Sequence, residues 1–150
     1  MKIAIIGLGF VGLSLTSVLS SKGFNVIGID VDKEKCKKIS NGISPFFEPD
    51  LEKSLKNGLR KKLQIESDVS LVQDCDLIFV TVGTPQNKTG SIDLSIIKNA
   101  MLSLGKSIRK SKKQHTILIK STVVPGTMKN VILPILEKNS KKKAGKDFGL

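Results

Sequence analysis

Tryptophan and tyrosine are absent from the 150 residues, and phenylalanine occurs only six times. Recognition of a ligand by broad aromatic stacking is therefore poorly supported. Two cysteines give no disulfide framework and too few ligands for a structural zinc site, and they suit a reducing cytoplasm. No apolar run reaches the roughly 20 residues that a membrane-spanning helix needs. The opening MKIAIIGLGFVGLSL imitates a secretory signal, but it carries one lysine and no clean cleavage site follows. No paired carboxylates, Ser-His-Asp set or metal-ligand cluster stands out.

Acidic residues are also scarce. Lys and Arg number 25 against 13 Asp and Glu, a formal charge of +12. Such a balance raises the question of a nucleic-acid or anionic partner. The basic runs are dispersed from Lys33 to Lys146, most of their residues are lysine, and no aromatics interleave them. A nucleic-acid surface shows a focused stripe with arginines or stacking rings. These runs read instead as solvated helix faces and turns. The hydrophobic fraction of 39% excludes intrinsic disorder, and the length suits one domain.

Short branched apolar runs alternate with helical patterns. KIAII at 2–6, NVIGI at 25–29, LIFVTV at 77–82 and TILI at 116–119 read as buried strands, with a short one at 63–65. Helices are expected over 10–21, 32–40, 50–60, 94–107 and 127–137. In the first, Val11, Leu15, Val18 and Leu19 would form the apolar stripe; in the third, Leu51, Leu55 and Leu59 share a face. One or two turns are expected over 69–73, a basic loop or frayed end over 139–146, and a possible strand start at 147–150. The order βαβα indicates an α/β, Rossmann-type doubly wound, mainly parallel sheet.

Between the first strand and helix lie Gly7, Gly9 and Gly12, spaced GxGxxG. Gly7 permits a tight turn, Gly9 lets backbone approach a pyrophosphate, and Gly12 lets the helix pack close to the sheet. Phosphates would then meet unpaired amides at the helix N-terminus. The motif alone is weak; Asp30, at the end of the second strand, strengthens it. A carboxylate there accepts from both adenosine ribose hydroxyls and repels a 2′-phosphate, favouring NAD over NADP. Lys35 either reaches the ribose or pyrophosphate or is one more solvated lysine. Thr84 and Thr122 follow later strands, where they bond to ribose or nicotinamide groups or merely cap turns. Asp93 resembles a helix N-cap. Lys120 faces an anionic substrate or makes a structural salt bridge. His115, at the opposite strand end, is expected at the sheet-edge surface. Cys36 and Cys75 read as ordinary small residues rather than nucleophiles.

Four ordered blocks carry a more specific signal: MKIAIIGLGFVGL, VIGIDVDKEKCKKISNGISPFFEPDLEKSL, CDLIFVTVGTPQNKTGSIDLSII and IKSTVVPGT. Together they resemble the N-terminal NAD-binding domain of UDP-glucose/GDP-mannose dehydrogenases. That resemblance implies a nucleotide-sugar 6-dehydrogenase, taking a UDP-sugar C6 alcohol to a carboxylate with two NAD, through a cysteine thioester. It implies phosphate contacts at Gly7, Gly9, Phe10, Val11 and Gly12, adenosine-side contacts at Asp30 and Lys35, and nicotinamide-side contacts at Thr84 and Thr122. Thr122 would also help order the hydrolytic water. Asp50 departs from the family, which has glycine there, and puts the local turn in question. The family's NPEFLREG-type block, dimerising helical region and catalytic lysine, asparagine and cysteine do not occur in these residues. The chain is therefore expected to be a fragment, inactive alone, of a cytoplasmic homo-oligomer. A 3-hydroxyacid or 6-phosphogluconate-type dehydrogenase and a non-catalytic NAD-binding module share the phosphate loop and stay open as alternatives.

Overall fold

The computed structural model describes residues 1–87 and 90–150. Strands β1 (Lys2–Ile6), β2 (Asn25–Ile29), β3 (Leu63–Glu66), β4 (Leu77–Val80), β5 (His115–Ile119) and β6 (Phe148–Gly149) form one sheet. Its order is β3-β2-β1-β4-β5-β6, and every pairing is parallel. Helices α1 (Phe10–Ser21), α2 (Lys33–Ser40), α3 (Leu51–Leu59), α4 (Ser95–Ile108) and α5 (Leu133–Ser140) supply the crossovers. A 3₁₀ turn spans Val69–Asp74, and a π turn at Met128–Ile132 leads into α5.

The central strand shows why the sheet is covered on both sides. Successive side chains point to opposite faces. Ile3 and Ile5 pack with Leu13, Ile39, Leu51 and Leu55; Ala4 and Ile6 pack with Ile97, Met101 and Leu104 on the other side. Each fully buried branched side chain contributes about 1.5–3 kcal/mol. An apolar strand without alternation is what two-sided burial requires.

Helix α1 departs from the expected stripe. Val11 and Val18 are exposed, and the buried face is Gly12, Leu13, Thr16, Ser17 and Ser20. The reason is close approach. A methyl on Gly28 would lie 3.3 Å from the Thr16 methyl carbon, and one on Gly58 would strike the Ser20 side chain. Large residues cannot occupy that seam. Leu51 and Leu55 are buried as expected. The segment read as a loop from Asn139 begins instead as the last turn of α5, which ends where Lys141 takes φ +58°.

Asp50, where the resemblance implies glycine, lies in a turn that Leu51 closes by donating its amide to the Glu48 carbonyl at 3.2 Å. It adopts φ +58° directly before α3 and makes no side-chain cap. Left-handed backbone is costly for most L-residues, less so for Asp. Asp50→Gly is therefore expected to stabilise the chain by about 0.5–1 kcal/mol, raising the thermal midpoint by about 1–4 °C. An unchanged or lower midpoint in a melt would show that the carboxylate offsets the strain.

His115 is not at the surface. It is fully buried, because β6 covers β5 and Phe148 pairs with it. Its Nδ1 lies 2.7 Å from the Cys75 carbonyl, so that nitrogen carries the proton, and Nε2 has no partner among the described residues. Burial pushes the imidazole pKa down from 6.5; the Cys75 carbonyl opposes this, Lys142 and Lys113 add to it, and Asp76 opposes it. The unfolded chain takes up a proton near pH 6.5 that the folded one refuses until lower pH. Stability should be full above pH 6.5 and fall below it until the folded pKa is passed. Denaturant midpoints measured from pH 8 to 5 should show that slope in the wild type and a flatter one in His115→Asn. Parallel profiles would refute it.

Candidate dinucleotide site

The strand order reverses about β1, whose neighbours β2 and β4 lie on opposite sides. In an open parallel sheet a crevice opens there, beyond the carboxyl ends of the strands. The loop leaving β1 enters it. Gly7 donates its amide to the Ile29 carbonyl at 2.8 Å and turns the chain with φ +96°. A Cβ at Gly7 would lie 2.9 Å from the Val82 backbone. A Cβ on Gly12 would collide with the Gly7 carbonyl and lie 2.5 Å from Thr81 Oγ1. At Gly9 a Cβ would meet nothing within 4 Å. Gly7 and Gly12 are thus required by the fold itself, whereas Gly9 faces open space.

The first backbone bond of α1 runs from Leu13 to the Gly9 carbonyl, at 2.9 Å. The amides of Phe10, Val11 and Gly12 precede it with no acceptor among the described residues, and no side chain caps the end. The first turn carries no acidic residue, so the positive end of the helix dipole is unneutralised. An anion fits there. The exposed Phe10 ring stacks on Phe46, with centroids 4.2 Å apart, and fixes the loop before α3 beside the entrance.

Asp30, 8% exposed, sits at the tip of β2. Its Oδ2 accepts from the Leu8 amide at 2.8 Å and from Lys35 Nζ at 2.9 Å; its Oδ1 accepts from the Asp32 amide at 3.0 Å. Burial pushes the carboxyl pKa up, but the Lys35 ammonium and the Asp32 and Leu8 amides prevail and hold it below 3.8. The group is therefore ionised at neutral pH. Lys35 is no free lysine: Asp32 caps α2 by accepting from the Lys35 amide at 3.0 Å, and that turn aims the ammonium at Asp30. Val31, beside Asp30, is 93% exposed and offers an apolar surface at the rim.

Thr84 and Thr122 follow the adjacent strands β4 and β5. Ser121 joins their loops, its hydroxyl donating to the Val82 carbonyl at 2.7 Å. Thr84 is half-buried and Thr122 exposed, and neither caps the following helix. Asp93 does support the start of α4, accepting from the Ser95 amide at 2.8 Å. Lys120 is exposed, with no ion pair among the described residues. The Cys36 thiol lies behind Asp30, 3.3 Å from the Asp30 and Glu66 carbonyls, and burial raises its pKa. Cys75 is buried at the far end, its pKa raised to about 11 by burial. Neither is a thiolate at neutral pH. Among the described residues no group of three His, Cys, Asp or Glu side chains could hold a metal ion.

Two residues beyond the glycine motif complete the site, Thr81 and Phe46. Thr81 is the hydroxyl that interrupts LIFVTV near its carboxyl end, a visible signal. Phe46 gave none, since its contact joins distant segments. The arrangement as a whole offers three free amides, an open face at Gly9 and an ionised acceptor nearby, which fits the diphosphate and ribose of a dinucleotide. Gly9→Ala should leave the thermal midpoint within about 1 °C, because its φ of −79° suits alanine. The same change should weaken dinucleotide binding about tenfold or more by occupying the approach path. Gly12→Ala should instead lower stability by about 3 kcal/mol or more through its collision with backbone. Calorimetry and melting curves separate the two; equal effects of both would contradict the assignment.

Comparison with known proteins agrees with this geometry. Residues 1–150 match the model of the UDP-glucose/GDP-mannose dehydrogenase family, NAD binding domain. The GDP-mannose 6-dehydrogenase of Pseudomonas aeruginosa is 43% identical over 100% of the chain, and the UDP-glucose 6-dehydrogenase of Haloferax volcanii is 33% identical over 97%. The crystal structure of a ternary complex of the Pseudomonas aeruginosa GDP-mannose dehydrogenase superposes with a TM-score of 0.97 over 99% of the chain. A UDP-glucose dehydrogenase from Pyrobaculum islandicum, 29% identical, gives 0.90 over 98%. The chain spans only 35% of the Pseudomonas protein and 34% of the Haloferax one. With an all-parallel α/β sheet, a glycine loop against free amides and an acidic residue closing β2, this chain belongs to the UDP-glucose/GDP-mannose dehydrogenase family as its NAD-binding domain.

Proposed function

We propose that the chain holds NAD for a nucleotide-sugar 6-dehydrogenase. The observation that carries this reading is the ionised Asp30 carboxylate beside the open N-terminus of α1. In this reading Phe10, Val11 and Gly12 give their amides to the diphosphate, Gly7 and Gly9 shape its approach, and Asp30 takes the adenosine ribose. Bound NAD supplies the hydride acceptor. Thr84 and Thr122 serve the nicotinamide side, on loops that Ser121 ties together.

The hydrogen-bond count gives Lys35 a defined part. A carboxylate has about four acceptor sites, and Leu8, Asp32 and Lys35 use three. Two ribose hydroxyls need one more than remains. Only Lys35 is held by a flexible side chain, so it yields its place and turns its ammonium to the ribose or diphosphate. Before binding it keeps Asp30 charged, and afterwards it keeps the added negative charge paired.

The relatives named GDP-mannose and UDP-glucose 6-dehydrogenases support oxidation at the sugar's C6 in the whole enzyme; our reading takes that alcohol to a carboxylate with two NAD. Identity of 43% to a GDP-mannose enzyme against 33% to a UDP-glucose enzyme favours GDP-mannose over the UDP-sugar expected from sequence blocks. The whole protein would be a cytoplasmic homo-oligomer with further domains for dimerisation and sugar binding. NADH formation by the whole protein, with GDP-mannose and UDP-glucose compared, decides the sugar.

For the cofactor, calorimetry of this chain should give NAD binding, weaker NADP binding, and a loss of about tenfold or more in NAD affinity for Asp30→Ala. Equal affinities for NAD and NADP, or an Asp30→Ala variant that binds like the wild type, would contradict the ribose assignment.

A further inference from the structure

We infer that Thr81 is a positioning residue of the phosphate loop, acting through a single peptide unit that it shares with Asp30; the inference rests on the NAD-binding reading above. Thr81 lies just beyond β4, is 9% exposed, and its hydroxyl reaches the loop leaving β1. Its Oγ1 is 2.7 Å from the Gly7 carbonyl and 3.1 Å from the Ile6 carbonyl. The Ile6 carbonyl already accepts from the Thr81 amide at 2.8 Å. Gly7 has no other donor to its carbonyl among the described residues, so the hydroxyl proton belongs chiefly to it.

The consequence follows from peptide geometry. The Gly7 carbonyl and the Leu8 amide belong to one planar unit, and in a trans peptide they point in opposite directions. Thr81 holds the carbonyl end; Asp30 Oδ2 holds the amide end at 2.8 Å. Gly7, with φ +96° and no side chain, cannot fix that plane by itself. The clamp does. The same plane sets where the chain enters α1, and with it the direction of the free amides at Phe10 and Val11. Thr81 also fills the space a Cβ on Gly12 would need, so one hydroxyl touches both the start and the end of the motif.

Releasing the carbonyl leaves a part-buried acceptor without its donor and frees the plane to rotate. Thr81 does not touch the dinucleotide in this reading; its effect travels through the Gly7–Leu8 peptide. Two residues acting on opposite ends of one rigid unit, without bonding to each other, should be energetically coupled.

The test is a set of calorimetric titrations of this chain with NAD, with melting curves in parallel. Thr81→Val should weaken NAD binding about tenfold, and Thr81→Ser, which restores the hydroxyl, should bind within about twofold of the wild type. If Thr81→Val melts below the assay temperature, Thr81→Ala removes the same hydroxyl with less bulk near Gly12. In the cycle with Asp30→Ala, the double variant should lose at least about threefold less affinity than the product of the single losses. Wild-type affinity in the hydroxyl-free variants, failure of Thr81→Ser to recover binding, or strictly multiplicative losses would each overturn the inference while leaving the NAD-binding reading intact. A wild type that does not bind NAD, or an inert Asp30→Ala, would remove that reading and this inference with it.

Discussion

The buried carboxylate of Asp30 is the point at which the separate parts of the site meet. It joins the tip of β2 to the loop leaving β1 through Leu8, and to the first turn of α2 through Asp32 and Lys35. Burying a charge is costly unless it is paired and hydrogen-bonded. Here desolvation is the largest single influence on Asp30, and three donors outweigh it. An acid at this position therefore has to be built into the fold, with Asp32 capping α2 so that Lys35 faces inward. One of the donors that keep the acid ionised, the Leu8 amide, also ties down the loop leaving β1, so that contact serves both the loop's geometry and the acid's charge.

Around that point the sheet acts as a frame. β1 is covered on both faces by packed aliphatic side chains, and its register with β2 and β4 places Ile6 opposite both Ile29 and Val80. The next residues are Gly7, Asp30 and Thr81. Parallel pairing thus delivers a flexible turn, an acid and a hydroxyl to the same level without any of them being adjacent in sequence. Small residues along α1 let it sit close to the sheet and to α3, so its N-terminus is held at that level too.

Much of this was legible in the sequence, for identifiable reasons. Strands buried on both faces announce themselves as branched apolar runs, so β1, β2, β4 and β5 fell where expected. GxGxxG and an acid at the end of the next strand encode a local backbone geometry, which is why Gly7, Gly12 and Asp30 could be read. The misreadings share a different cause. Val11 and Val18 fit a core stripe by hydrophobicity and spacing, but the close approach of α1 to its neighbours admits only small residues along the seam. His115 looked like an edge residue because its cover, β6, is only two residues long. Lys35 stands evenly between a ligand contact and a solvated lysine on its spacing alone, since what marks it is the direction of one turn of α2. Thr81 is visible as a hydroxyl interrupting LIFVTV, but its partner lies 74 positions away, and no local pattern names it.

The polarity of the sheet also separates two kinds of chemistry. Strand carboxyl ends carry free amides, hydroxyls and one ionised acid, suited to holding phosphate and ribose. The amino ends carry His115 and Cys75, both buried and both driven by desolvation toward their neutral forms. Neither can reach a ligand at the opposite end of a strand about 15 Å long. Cys36 is near the crevice, yet it is shielded behind Asp30 with its thiol turned to backbone carbonyls. What the described residues bring to the crevice is therefore recognition and orientation of the cofactor.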